Sequence, residues 1–113
     1  MSKLTKCGLA PALDIVGGKW KALIVWTLIR APRRFNELGR ELSGISNRML
    51  VQSLRELESD GVILRQNFYE IPPRVDYSLT EFGRSLAAAL APLSDWGARH
   101  EGRIKASKAT REG

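Results

Sequence analysis

The 113-residue chain has a single cysteine, Cys7, and a single histidine, His100. One thiol cannot close a disulfide within the chain, and it suits a reducing compartment. No cluster of Asp, Glu or Cys around His100 has metal-ligand spacing, so that residue reads as a surface side chain and no metal is expected. No serine stands in a recognisable arrangement with a histidine and an acid. Gly17-Gly18-Lys19 lacks the spaced glycines and the following Ser or Thr of a phosphate loop. An enzyme is therefore not expected, nor is a cofactor. Long apolar runs are missing too. Ala22 to Ile29 and Leu86 to Leu93 are far shorter than the ~20 residues of a membrane span. Met1 to Gly8 is polar and charged, unlike a secretory signal, so the sequence is expected to be cytoplasmic. There are no internal repeats and no low-complexity tract.

What is present is one domain's worth of chain, with 43% apolar and 27% charged residues, as in ordinary globular proteins. The formal charge of +6 invites a nucleic-acid partner. Half of that excess lies from Arg99 onward, where Arg99, Arg103, Lys105, Lys108 and Arg111 face only Glu101 and Glu112, five minus two giving +3. Charge therefore supports such a partner without establishing it. Residues 1–102 are expected to form the domain and 103–113 a basic, disordered tail.

The chain is organised around Ser46 to Asp60, which reads as one amphipathic helix. Leu50, Leu54 and Leu57 form its apolar stripe, with Arg48, Val51, Gln52, Arg55 and Ser59 opposite. Ser46 suits the N-cap, and Gly61 suits a left-handed position just past the end. The outer face, with Asn47 near its capped end, carries donors and acceptors that pair with phosphates and base edges. Before it, a short helix spans Pro11 to Val16 and a second spans about Lys19 to Ile29, with Trp20, Leu23, Ile24, Thr27 and Leu28 at helical spacing. A third runs from about Arg34 to Leu42, with Phe35, Leu38 and Leu42 inward. Ser43-Gly44-Ile45 then joins two short amphipathic helices, the helix-turn-helix pattern.

After Gly61 the period changes. Val62 to Tyr69 is extended, and Val75, Tyr77 and Leu79 alternate with Asp76 and Ser78. Glu70-Ile71-Pro72-Pro73-Arg74 is the tip of a hairpin, because two prolines cannot sit in a central strand. Leu64, Val75, Tyr77 and Leu79 are expected to pack inward, and Arg74 to reach a phosphate or a narrow minor groove. The fold class is thus mostly α (α+β), a winged helix-turn-helix with a β-hairpin wing. Thr80 caps a last helix whose stripe is Leu86, Leu90, Leu93 and Trp96. Pro92 inside it predicts a kink or a break. The first and last helices carry more apolar surface than a core of this size needs, which predicts a homodimer through Leu13, Ile15, Leu86, Leu90, Leu93 and Trp96.

These motifs together resemble the HxlR-type transcription regulators. The resemblance is carried by Cys7-Gly8, by Ala12-Leu13-Asp14-Ile15-Val16-Gly17-Gly18-Lys19-Trp20, by Arg34-Phe35-Asn36-Glu37-Leu38 and by Gly44-Ile45-Ser46-Asn47-Arg48-Met49-Leu50. It continues through Leu54 to Gly61, Tyr69 to Thr80, then Glu81, Gly83 to Leu86 and Trp96-Gly97, so it covers nearly everything except the tail. It implies a bacterial or archaeal cytoplasmic dimer on operator DNA, within the MarR-like winged-helix group, joined through its first and last helices. Some relatives sense electrophiles through a cysteine at the place of Cys7. The family often has proline where Gly8 and Ser43 stand, and commonly another residue at Gly39.

The expected function is a sequence-specific transcription regulator, with repression the default for a small dimer lacking an activation domain. Arg34, Ser46, Asn47, Arg48, Gln52, Arg55 and Arg74 are the candidate contacts to double-stranded DNA. Cys7 is the candidate thiol switch, near the positive end of the first helix and beside Lys3 and Lys6. The alternatives are a winged-helix module that docks on protein and a regulator controlled by a noncovalent small molecule. Exposed aromatics would mark a protein-docking face, and a steep salt dependence would mark DNA binding.

Overall fold

The computed structural model describes residues 7–112. Four helices come first: α1 (Leu9–Val16), α2 (Trp20–Leu28), α3 (Phe35–Glu41) and α4 (Asn47–Ser59). Two strands follow, β1 (Ile63–Asn67) and β2 (Val75–Leu79), then α5 (Glu81–Arg99) and α6 (Glu101–Glu112). This is the expected helix-turn-helix with a wing. The core is built where the helical stripes meet: Ile24, Val25 and Leu28 of α2, Leu38 of α3 with Leu42 just beyond it, and Leu50, Leu54 and Leu57 of α4. Val62, Ile63, Leu79 and Ala87 close it from the wing and the start of α5.

Local chemistry fixes the ends of α4. The Ser46 hydroxyl accepts the Met49 N–H at 3.1 Å, satisfying one free amide of the first turn. Gly44 in the preceding turn has φ +91°, and Gly61 just past the helix has φ +75°, both in the left-handed region that glycine enters freely. Thr80 caps α5 in the same way, accepting from the Gly83 N–H at 3.0 Å.

The wing pairs antiparallel, from Ile63 opposite Leu79 to Asn67 opposite Val75. Arg33 makes a further bridge on the other edge of β2, its N–H reaching the Tyr77 carbonyl at 2.9 Å and its carbonyl accepting from the Tyr77 N–H at 2.8 Å. The hairpin register corrects one expectation. Leu64 stands opposite Ser78, out of phase with the inward Ile63 and Leu79, and is exposed rather than packed.

Two further expectations change. Of the kink or break expected at Pro92, the break does not occur, because α5 runs from Glu81 to Arg99 through it. The carbonyl deprived of its donor belongs to Ala88, which is exposed, so water can serve it. The chain from 103 to 113 is not a disordered tail through its described length, because α6 continues to Glu112. Alanines 106 and 109 and a Glu101–Lys105 pair one turn apart, at 3.2 Å, favour that helix.

Candidate nucleic-acid interface

With Leu50, Leu54 and Leu57 buried, α4 turns Asn47, Arg48, Gln52 and Arg55 outward, all four exposed. Together with Val51 and Glu56 they line a shallow groove of about 470 Å³. Ser46 is exposed but its hydroxyl is engaged in the cap. Among the described residues, Arg34, Arg48 and Arg55 have no carboxylate partner in the fold. Unpaired guanidiniums on a surface are free to take an anion from outside, and their planar forks suit phosphate and guanine edges.

A second cleft, of about 520 Å³, opens between the start of α3 and the start of β2. Arg34, Asn36 and Arg40 line it from the α3 side, and Arg74 and Asp76 from the wing. Glu37 also borders it but accepts the Arg34 backbone N–H at 2.8 Å, which fixes the helix start. Arg40 escaped the sequence reading. Its signal was its i, i+4 spacing from Asn36, on the side of α3 away from Phe35, Leu38 and Leu42.

Arg74 closes the loop at the wing's tip, one residue before β2, and its side chain is held there. Its guanidinium lies 4.0 Å over the Phe68 ring, and its Nε is 3.5 Å from Asp76 Oδ1, with Glu70 4.0 Å from its other end. The Phe68 N–H donates to the Arg74 carbonyl at 2.9 Å, extending the ladder one step past β1. The tip itself exposes Tyr69 and Ile71. The expected basic tip is thus an apolar tip whose arginine is held.

Glu56 is the one acidic group in the α4 groove. It forms an ion pair with Lys21 of α2. Lys21, and then the Gln52 side chain, hold the Glu56 carboxyl below the ordinary 4.5. A carboxyl lowered by folding contributes stability above its ordinary value and loses it as pH falls through the lowered one, so this contact is intact at neutral pH.

The residues expected at a dimer interface divide into two groups. Leu13, Leu93 and Trp96 are exposed by 53%, 63% and 49%. Ile15, Leu86 and Leu90 are half-buried and pack against the chain's own core. Cys7 is exposed, and the Leu9 N–H points to its Sγ at 3.5 Å; Lys3 and Lys6 lie outside the described residues. His100 ends α5, its Nδ1 2.8 Å from the Trp96 carbonyl and its ring stacked on that indole at 4.9 Å. Among the described residues there is no group of three metal-ligating side chains, and no helix is long and apolar enough to cross a membrane.

Helix α4, with Asn47, Arg48, Gln52 and Arg55 exposed and a wing beside it, lies within residues 15–105, which match the HxlR-like helix-turn-helix family model. The chain belongs to that family. It is an HTH-type transcription regulator, and its relatives are regulators rather than enzymes. It is 45% identical over 106 residues to the HTH-type transcriptional regulator YdeP of Bacillus subtilis, covering 94% of this chain and 83% of YdeP. Its fold is similar to that of the redox regulator HypR in reduced form, with a TM-score of 0.82 and 39% identity over 88% of this chain and 99% of HypR. A MarR-family regulator from Enterococcus faecalis is likewise similar, with a TM-score of 0.74 and 40% identity over 98% of this chain and 94% of that one. The HxlR-type chain is therefore a winged helix-turn-helix protein of the MarR-like group.

Proposed function

We propose that this HxlR-type regulator is a cytoplasmic homodimer that represses transcription from an inverted-repeat operator. Helix α4 enters the major groove, with Asn47, Arg48, Gln52 and Arg55 on base edges and flanking phosphates. Arg34, Arg40 and Arg74 take phosphates on the side of the wing. The observation that carries this reading is the outer face of α4: four polar side chains in register, two of them guanidiniums without a carboxylate partner among the described residues. A protein-docking face would carry aromatics there, and α4 has none. The direct test is the salt dependence of binding to duplex DNA. Its log–log slope falls by about 0.9 for each phosphate contact removed. Arg74→Ala is expected to weaken all sequences similarly and to flatten that slope by about one unit. An unchanged slope for Arg74→Ala would remove the wing's tip loop from the interface.

The proposed control element is Cys7. Its exposure and its place immediately before α1 support reaction with an oxidant or electrophile. HypR, similar over 88% of this chain in its reduced form, is also known in an oxidised form. With no second cysteine in the sequence, the disulfide must link two subunits or cap Cys7 with a small thiol. Diamide treatment is expected to release the wild type from operator and leave Cys7→Ser bound. Full affinity of wild type whose Cys7 mass spectrometry shows to be modified would overturn the switch. A noncovalent effector is the second reading, favoured by an apolar groove of about 400 Å³ between Trp26 of α2, Ile29 just past its end, and Ala87 and Ala91 of α5.

A further inference from the structure

The Lys21–Glu56 pair crosses from α2 to the reading helix, and neither the core nor the phosphate contacts account for it. The Lys21 side chain is 14% exposed and that of Glu56 43%, so the lysine anchors the pair and the carboxylate stands at the groove's rim. Gln52 lies one helical turn before Glu56, and both line the same groove beside Arg48 and Arg55. One turn apart on one helix face, the Gln52 amide is within reach of the Glu56 carboxylate, and it adds to Lys21 in keeping that carboxyl ionised.

An ionised carboxylate can only accept hydrogen bonds, whereas a glutamine amide has a donating end and an accepting end. Only the Nε2 end of Gln52 can therefore face Glu56. Turning the amide over would set its Oε1 against negatively charged oxygens. With Nε2 turned toward Glu56, Oε1 and the second N–H remain as an acceptor–donor pair for the groove. That pair meets the N6 amino group and the N7 of adenine.

We propose that Glu56, anchored by Lys21, is a positioning residue that fixes the amide orientation of Gln52 and so selects adenine at one base pair of each half-site. This rests on α4 being the major-groove element. Lys21 has a second effect, because its positive charge offsets a carboxylate that would otherwise face DNA phosphates.

Selection of bound duplexes from a randomised pool tests this, with wild type, Gln52→Ala, Glu56→Gln and Lys21→Gln compared at one salt concentration. Gln52→Ala locates the base pair that Gln52 reads. At that pair wild type should prefer adenine by about tenfold, the discrimination expected of a bidentate contact. Glu56→Gln should reduce the preference there to about twofold, because a neutral amide tolerates both orientations of its neighbour. Lys21→Gln should relax the same pair and no other. The thermal midpoints of both variants should fall by no more than the few degrees that a half-exposed ion pair contributes.

A Glu56→Gln protein that keeps the wild-type preference at that pair overturns the proposal. So does a uniform loss of affinity for every sequence, which would mean that the ion pair only holds α4 in place. Relaxation at a different pair means that Glu56 reads a base itself, and also overturns it. If Gln52→Ala changes no position, the positioning role falls while the DNA reading of α4 stands. If wild type selects no motif, that reading falls first.

Discussion

Arg55→Glu and Arg48→Glu are each expected to abolish operator-specific binding while the domain stays folded. Both side chains are exposed on the face of α4 opposite Leu50, Leu54 and Leu57, and neither has an intramolecular carboxylate partner among the described residues. Reversal therefore removes nothing that the fold uses, and surface changes of this kind fall within about 0.5 kcal/mol. At the interface the effect compounds. A lost base or phosphate contact costs ~1–3 kcal/mol, and a carboxylate facing the phosphate backbone adds repulsion. A loss of about 100-fold or more in specific affinity follows, twice over in a dimer with two reading helices. Titration of labelled operator, against a thermal melt of the same protein, separates the two effects. Normal operator binding by both variants would show that α4 does not read DNA. Arg33 is the informative contrast. Its Nε holds Glu41 at 2.9 Å and its backbone bridges Tyr77, so reversal there should lower the melting temperature instead.

The parts of this fold that were legible in the sequence are those decided by local periodicity and end chemistry. Leu50, Leu54 and Leu57 declared the inner face of α4, and Ser46 and Thr80 declared two helix starts, because capping needs only residues within one turn. The alternation of Val75, Tyr77 and Leu79 declared a strand. Non-local placement was not legible. The bridge from Arg33 to Tyr77 joins residues 44 apart, with a single residue in the short arm, too little to show a period. Leu64 was misassigned because hydrophobicity alone cannot fix register, and one step along a strand reverses the face. Arg74 was read as a free tip residue, since nothing local announces that Phe68 and Asp76 converge on it. In the candidate site, Asn47, Arg48, Gln52 and Arg55 followed from the helical wheel. The Lys21–Glu56 pair did not, because it needs the packing of α2 on α4. The tail misled for the opposite reason: its charges suggested disorder, while its alanines and its i, i+4 pair favour a helix.

Leu93→Asp is expected to dissociate the proposed dimer and to take operator affinity with it. The radius of gyration is 16.2 Å, whereas a compact domain of ~100 residues has about 13 Å. The excess comes from elements that leave the core. Helix α1 buries no residue completely, and α5 buries only Gly83 and Ala87, both near its start. Leu9 and Leu13 on α1 and Leu93 and Trp96 on distal α5 are left exposed as large apolar side chains. A second copy covering them would place two α4 helices on one face of a two-fold, about 34–36 Å apart for successive major grooves. Leu90 looked equivalent in the sequence, but it packs against the chain's own core, so a charge there would unfold the domain and test nothing. Leu93, at 63% exposure, is the clean position. Light scattering at micromolar concentration should show a dimer for wild type and a folded monomer for Leu93→Asp. A monomer carries one reading helix, and its affinity should drop toward the nonspecific level, about 10³-fold or more below specific binding. A folded monomer that holds the full operator with wild-type affinity would sink the two-fold arrangement, because one α4 would then suffice to read the site.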